Sequence, residues 1–131
     1  MLRTKSIHSP IDSKKDGLRI LVARFRGRGI KKDRYDVWMA NLGPSEPLLR
    51  DFLSGTIDWG AYARRYKAEM FQSGGADQYN KVIRNHGQKF TLRLIKKLAQ
   101  TEPITLLCHC AEEEEHCHRH LLKEMILSKK V

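Results

Sequence analysis

Runs of apolar residues predict three strands in this chain. LRILVARF, residues 18–25, follows a glycine and has the length and β-branched content of a buried strand. LRTKSIH, residues 2–8, places apolar residues at its ends and predicts a weaker opening strand. ITLLC, residues 104–108, is short and wholly apolar, as expected of a third strand. YDVWMANL, residues 35–42, fits either a strand or a helical turn, and periodicity does not decide between them.

Helical periodicity dominates the remaining segments. Ser45 is expected to cap a short helix that ends at Gly55, and Asp58 to cap a longer helix over residues 59–71. The longer helix carries an apolar stripe that predicts a core face and not a base-stacking platform. The stripe consists of Trp59, Tyr62, Ala63, Tyr66 and Met70. Two further helices are predicted over residues 89–100 and 118–127, and residues 72–88 indicate a glycine-rich loop or insertion with one short helix.

The order of these elements predicts an α/β fold. We expect a small, mostly parallel central sheet flanked by helices, a Rossmann-like layer sandwich, in a single domain over residues 1–131. Ligands of such folds bind outside the carboxyl ends of the strands. If the strands are parallel, the loops that follow residues 18–25 and 104–108 both leave the sheet at that edge.

Composition narrows the classes of partner. The 131 residues have a formal net charge of +10, so polyanions are favoured over cations as partners. No segment approaches the roughly 20 apolar residues needed to span a bilayer, and the first residues lack a signal-peptide core. An odd count of three cysteines does not resemble a secreted disulfide framework. We therefore expect a cytoplasmic protein that does not act at a membrane.

The segment LLCHCAEEEEHCHRHLL, residues 106–122, holds all three cysteines and four of the six histidines. At about 100° per residue, the terminal helix places His118 on its buried face and Cys117 and Arg119 on the borders of that face. His116 and His120 are predicted to point toward solvent. Zinc or another divalent metal could be held by Cys108, Cys110, Cys117 and His116. Against a metal, the C-x-C-x6-C spacing is not a two-plus-two knuckle pattern. A surface pair of His116 and His120 could also hold an adventitious ion.

A reactive thiol is the second interpretation of this segment. Cys117 is expected in the first turn of a helix, where the helix dipole and Arg119 lower the pKa of a thiol. Cys117 and Cys108 are therefore candidate catalytic nucleophiles. The four glutamates at positions 112–115 oppose this, since nearby carboxylates raise a thiol pKa. A purely structural role remains open, because cysteine is a common small core residue.

The cationic loop RGRGIKK, residues 26–32, is a candidate anion site. Arg24 and Arg28 alternate out of a strand end and can share one direction, with a glycine between them for close approach. Such a loop suits a phosphate-bearing or other small anionic ligand, or the phosphates of a nucleic acid. The alternative is an ordinary solvated surface.

Three quoted stretches resemble one family in the same order along nearly the whole chain. They are DGLRILVARFRGRGIKKDRYDVWMANLGPS, WGAYARRYKAEM and ITLLCHCAEEEEHCHR, and they resemble the DUF488 family of small proteins of uncharacterised function. The features that match the family's recurring pattern are Arg24, Arg28-Gly29, Trp38, Pro44-Ser45, Tyr66 with Glu69, Cys108 and Cys117-His118-Arg119.

The resemblance implies a strand-end pocket and no particular reaction. It supports Cys108, Cys117, His118 and Arg119, with Arg24 and Arg28 as further anion-binding residues and Tyr66 and Trp38 as pocket support. It adds nothing for Cys110 and His116, because the cysteine loop is about one residue longer here than is usual in the family. The leading hypothesis is a pocket that binds an anionic ligand. If the protein is an enzyme, it would act on that ligand. A basic nucleic-acid-binding module and a Cys/His metal-binding domain are the alternatives.

Overall fold

The computed structural model describes residues 1–75 and 84–131. The strands, in chain order, are β1 (Leu2–Ser6), β2 (Leu18–Leu21), β3 (Val37–Trp38), β4 (Ser73–Gly75), β5 (Arg84–His86) and β6 (Ile104–Cys108). The α-helices are α1 (Ser13–Asp16), α2 (Glu46–Leu53), α3 (Trp59–Phe71), α4 (Lys89–Leu98) and α5 (His118–Leu127). Short 3-10 helices span Lys32–Arg34 and Ala40–Leu42.

Four strands form one parallel sheet in the order β1-β6-β2-β3. The apolar strand β6 lies between β1 and β2, and all five of its residues are buried. Ile104 is in register with Leu2 on one side and with Leu18 on the other. Because all four strands run in one direction, their carboxyl ends meet at one edge of the sheet. The predicted α/β class with a parallel sheet and flanking helices is confirmed.

Both predicted helix caps are present. The Ser45 side chain accepts a hydrogen bond from the Leu48 amide at the start of α2. The Asp58 side chain accepts one from the Ala61 amide, at 2.8 Å, at the start of α3. Such bonds satisfy amides that have no partner within the helix. They fix the two turns that lead into the helices beside the site.

Two groups of buried side chains pack against the sheet. The larger includes residues of α2, α3, α4 and α5 together with Ile20, Val22 and Leu106. The predicted stripe of α3 lies here, since Tyr62, Tyr66 and Met70 are buried, which confirms its core role. The smaller consists of strand and loop residues: Ile7, Leu21, Ala23, Leu107, Cys108 and Cys117, with Ile30, Tyr35 and Cys110 at its margin. The cysteines therefore belong to the smaller core.

Several boundaries differ from those expected. The regular strand β2 ends at Leu21, although buried Val22 still donates its amide to Leu107 O. Residues 35–42 form a two-residue strand, β3, followed by a 3-10 helix. β3 lies at the edge of the sheet with one neighbouring strand, and both of its side chains are exposed. Within 72–88, β4 and β5 pair antiparallel. The short helix expected somewhere in this segment stays a prediction, because residues 76–83 lie outside the described residues.

Among the described residues, none of the helices has the length and apolar character needed to cross a membrane.

Candidate functional site

A cavity of about 340 Å³ opens at the carboxyl ends of β2 and β6. This volume falls within the range of small-ligand pockets, roughly 300–1,000 Å³. Its polar residues come from the loops that leave the two strands and from the start of α5, and its apolar wall comes mainly from α2 and α3. The lining residues are Ala23, Arg24, Phe25, Pro44, Leu49, Phe52, Leu53, Tyr62, Cys108, His109, Cys110, His116, Cys117 and His118.

The three cysteines converge on this cavity. Cys108 and Cys117 are buried, Cys110 is half-buried, and all three are free thiols. The sulfur atoms of Cys108 and Cys117 lie within 4.8 Å of each other. Cys117 is the N-cap of α5 with an extended backbone (φ −131°, ψ 140°). The prediction that Cys117 lies in the first helical turn is therefore wrong by one residue, because α5 begins at His118.

His118 connects the thiols to the sheet. Its Nε2 lies 2.9 Å from Val22 O, and its Nδ1 lies 3.8 Å from Cys108 Sγ. A carbonyl oxygen only accepts, so Nε2 carries the hydrogen. In the neutral ring the Nδ1 lone pair then faces Cys108. His118 is buried, as the helical pattern predicted, and is placed to take a proton from the thiol.

Hydrogen bonding sets the acidities of the group. The pKa of Cys108 is lowered because its sulfur accepts hydrogen bonds from the Cys110 and Cys117 thiols and from the Cys110 and His109 amides. The pKa values of Cys110 and Cys117 are raised, chiefly because each donates its proton to Cys108. Burial lowers the pKa of His118 and keeps the ring neutral. The acidic thiol of the group is thus Cys108, whereas the helix-dipole argument had favoured Cys117.

Three residues of this group could hold a metal ion. The ligand atoms of Cys108, Cys117 and His118 all lie within 4.8 Å of one another. Thiolates and imidazole suit zinc and similar borderline-soft ions. The hydrogen bond from His118 Nε2 to a carbonyl is the outer contact that orients most metal-bound histidines. The donor set therefore fits a metal centre.

Arg24 brings a cationic side chain to the cavity wall. The Trp38 indole Nε1 donates to Ala23 O at 2.9 Å and so anchors the chain just before Arg24. Trp38 itself is exposed and does not line the cavity. Arg28 is exposed and lies outside the lining. Of the two loop arginines predicted to act together, the structure places only Arg24 in the pocket wall.

Arg119 is fully buried, and its guanidinium is committed to the cysteine loop. Nη1 donates to Cys110 O at 3.2 Å, and Nη2 donates to Ala111 O at 2.9 Å and Glu112 O at 3.2 Å. It does not line the cavity. Arg119 was expected to clamp an anion, but in this structure its terminal nitrogens hold the backbone of the loop instead.

Two of the four glutamates of the loop are engaged away from the thiols. Glu112 accepts hydrogen bonds from the Ser9 hydroxyl and the Ser6 amide at the end of β1. Glu114 accepts from the His116 amide. The predicted opposition of the glutamates to thiolate formation is therefore weakened, because carboxylates engaged with β1 and the loop backbone do not crowd Cys108.

The two outer histidines are occupied elsewhere. The His116 ring stacks on Trp59, with centroids 4.8 Å apart and an interplanar angle of 14°. His120 Nε2 lies 2.9 Å from Glu114 O, and its Nδ1 lies 3.4 Å from Thr4 Oγ1. The group within ligating distance contains His118 in place of His116, which had been predicted as a ligand.

The residues that match the family pattern outside the cysteine segment act as a scaffold. Tyr66 is buried, donates its hydroxyl to Leu42 O and sets its ring edge-on to His118, with centroids 5.5 Å apart. Glu69 accepts hydrogen bonds from the amide and hydroxyl of Ser45. Both contacts fix the turn that contains Gly43, where an added Cβ would lie 2.5 Å from Arg24 N. Tyr66 is thus buried beside His118 and lies outside the cavity lining.

The apolar wall and His109 were not identified from the sequence as site residues. Phe52 stacks on Tyr62 at 4.4 Å between centroids, and Tyr62 stacks on Trp59 at 5.4 Å. His109 Nε2 lies 2.8 Å from Phe25 O. Helical spacing indicated that the aromatic residues are buried but carried no sign that one edge of the stack borders a cavity.

Comparisons with known proteins agree with this architecture. Residues 2–130 match a family model described as the active DUF488-N3 subclade. The chain is also 30% identical over 102 residues to the uncharacterized protein YeaO of Escherichia coli (strain K12), which covers 76% of this chain and 85% of that protein. No solved structure matches the chain. The chain therefore belongs to the DUF488 family and falls within the subclade described as active.

Proposed function

We propose that the cavity binds a small phosphate-bearing or other anionic ligand and that Cys108 acts on it as a nucleophile. One observation carries the proposal: a buried cysteine faces the Nδ1 atom of His118 in a cavity whose wall includes Arg24. An activated cysteine needs a base within reach, and an anionic ligand needs a cation beside the reacting atoms. Both partners border the same space.

The roles follow from the contacts. Nδ1 of His118 takes the proton of Cys108, and two neighbouring thiols donate to the resulting thiolate. The sulfur electron pair forms a bond to an electrophilic phosphorus or carbon atom of the ligand. The bond to the leaving group breaks with its electron pair, and the leaving group takes the proton from His118. Water then adds to the bound fragment, releases it with one hydroxyl, and returns a proton to the sulfur through His118.

Arg24 is the cation of this scheme, and the wall selects the rest of the ligand. Phe52 and Tyr62 present stacked aromatic side chains to the cavity, which favour a ligand with a flat or apolar part. Arg119 contributes indirectly, because it holds the loop that carries Cys110.

Inorganic phosphate and pyrophosphate are suitable first probes. Either should raise the melting temperature of the protein and slow alkylation of Cys108 by iodoacetamide, followed by peptide mass spectrometry. Arg24→Ala should abolish both effects, whereas Lys14→Ala should not, because Lys14 is on α1 and borders the opposite, amino-terminal edge of the sheet. Equal protection in Arg24→Ala and the unaltered protein would remove the proposal.

A metal centre is the second candidate, favoured by the convergence of Cys108, Cys117 and His118 within 4.8 Å. These three residues would hold zinc or a similar divalent ion, with the half-buried Cys110 beside them. The ion would supply Lewis-acid chemistry when bound. Metal analysis of the untagged protein should give about one ion per chain, and cobalt(II) should produce the absorption bands of tetrahedral thiolate coordination. Retention of metal in both Cys108→Ser and Cys117→Ser would exclude this centre.

A further inference from the structure

The loop that leads away from the cavity wall carries arginine side chains and an exposed aromatic ring. Phe25 is 52% exposed and lies between Arg24 and Arg26, and Arg26 and Arg28 are both exposed. In the part of the chain that the structure describes, none of these three arginine side chains forms an ion pair or hydrogen bond with a protein group. Their charge is therefore available to a ligand.

This loop is held in place at two points. At Gly27 (φ 85°) an added Cβ would lie 2.7 Å from Cε1 of His109, so the backbone packs directly on that ring. Ile30 packs against the smaller core. Because both anchors lie within a few residues of the arginines, the cations stay beside the cavity that His109 also lines.

The cavity continues into a second concavity of about 500 Å³ along the outer side of α2. The two share Phe25, Leu49 and Leu53, and the second adds Arg50 and Glu46. Leu53 is 73% exposed, so the shared floor is apolar and open to solvent. The two concavities together form a trough, with Arg24 in the lining of the first and Arg50 in the lining of the second.

We infer that this trough binds single-stranded nucleic acid, with one base in the Cys108 cavity, the next on Phe25, and phosphates on the Arg24–Arg28 loop. The inference rests on the proposed function and names its ligand class. Flat apolar surfaces interleaved with arginines are what stacked bases and regularly spaced phosphates require. The net charge of +10 favours a polyanion over a single phosphate. Glu46 is the opposing charge on the trough, and Arg50, on the same helix, also lines that concavity.

Fluorescence anisotropy with a short fluorescein-labelled oligodeoxythymidylate tests the inference. The double variant Arg26→Ala/Arg28→Ala should weaken binding. The slope of log affinity against log salt concentration should fall by the amount expected for the loss of about two phosphate contacts. Phe25→Ala should weaken binding roughly tenfold, because it removes a stacking surface. The matched controls are Lys14→Ala/Lys15→Ala, which removes two charges at the opposite edge of the sheet, and Leu94→Ala on α4, where the side chain is 58% exposed.

Competition assigns the source of the nucleotide. If unlabelled oligonucleotide displaces the labelled strand at a far lower concentration than thymidine monophosphate does, the ligand is a polymer. Equal potency per nucleotide, an equal loss of binding in the lysine control, or binding unchanged in Phe25→Ala would overturn the inference, as would tighter binding of poly-glutamate. If phosphate still protects Cys108 in an Arg24-dependent manner, the proposed function stands and only the polynucleotide assignment falls.

Discussion

His118 Nδ1 lies 3.8 Å from Cys108 Sγ while its Nε2 is held by Val22 O at 2.9 Å. The carbonyl fixes both the tautomer and the orientation of the ring, and the lone pair that remains faces the thiol. This arrangement suits a nucleophilic cysteine and a metal centre alike.

His118→Ala should slow alkylation of Cys108 by iodoacetamide in acid, below the lowered pKa of Cys108, by roughly a hundredfold, the lower range of general-base effects. The reason is that the proton, which the thiol still carries at such pH, loses its acceptor. Mass spectrometry of the Cys108 peptide over time gives the rate. His120→Ala is the control, since that ring contacts only Thr4 and the loop backbone. Equal rates in the two variants would show that the base is not needed.

The pH dependence of Cys108 modification should be shifted toward acid. Because hydrogen bonds from Cys110 and Cys117 lower the pKa of Cys108, its thiolate is formed well below the ordinary thiol value of about 8.5. The rate should therefore rise at acidic pH and be level from neutral pH upward. The neighbours have raised pKa values and should react only in more alkaline solution. A Cys108 rate that keeps rising through pH 8 would contradict the assignment.

Gly43→Ala should reduce the response to phosphate without unfolding the protein. Gly43 has an ordinary extended backbone (φ −80°), so the cost is steric: the new Cβ would lie 2.5 Å from Arg24 N. The strand-end backbone must shift, and the Arg24 side chain with it. Gly60→Ala is the control, because its Cβ would meet nothing nearer than 3.5 Å. Thermal shift with phosphate separates the variants, and an unchanged response in Gly43→Ala would refute the steric argument.

Arg119→Met should destabilise the fold by about 3 kcal/mol, because the carbonyls of residues 110–112 lose buried charge-assisted donors. Chemical denaturation measures the loss, and hydrogen exchange should show faster exchange within residues 109–117. Arg93→Met is the comparison, since Arg93 donates to a single terminal carbonyl, that of Val131. If Arg119→Met instead leaves stability and loop exchange unchanged but abolishes the phosphate response, Arg119 is an anion ligand after all.

Sequence patterns predicted the fold, and the sheet edge at which the cavity lies, because their signals are local. The caps at Ser45 and Asp58, the apolar run 104–108 and the spacing of α5 each act within a few residues. Parallel strands then bring the loops after β2 and β6 to one edge. The pocket position of Arg24 and the burial of His118 follow from these patterns.

The rest depended on contacts between distant segments. Arg119 sits at the border of the predicted helix face, and only the path of the loop decides that its guanidinium meets carbonyls. His116 was a plausible ligand by composition, but Trp59, from another helix, takes its ring. At Cys117 the neighbouring thiols outweigh the helix dipole, since hydrogen bonding with Cys108 and Cys110, together with burial, raises its pKa.

The loop between Cys110 and Cys117 differs between its side chains, which are mostly acidic, and its backbone, which faces a buried cation. Four consecutive glutamates make it the most acidic stretch of the chain, yet its carbonyl oxygens turn inward to a buried guanidinium, and the Glu112 and Glu114 carboxylates bind groups outside the thiol group. The net charge of the loop sequence is therefore a poor guide to the electrostatic potential at the thiols that the loop encloses. The path of the loop backbone, which Arg119 holds, therefore matters more to the enclosed thiols than the charge of the loop side chains.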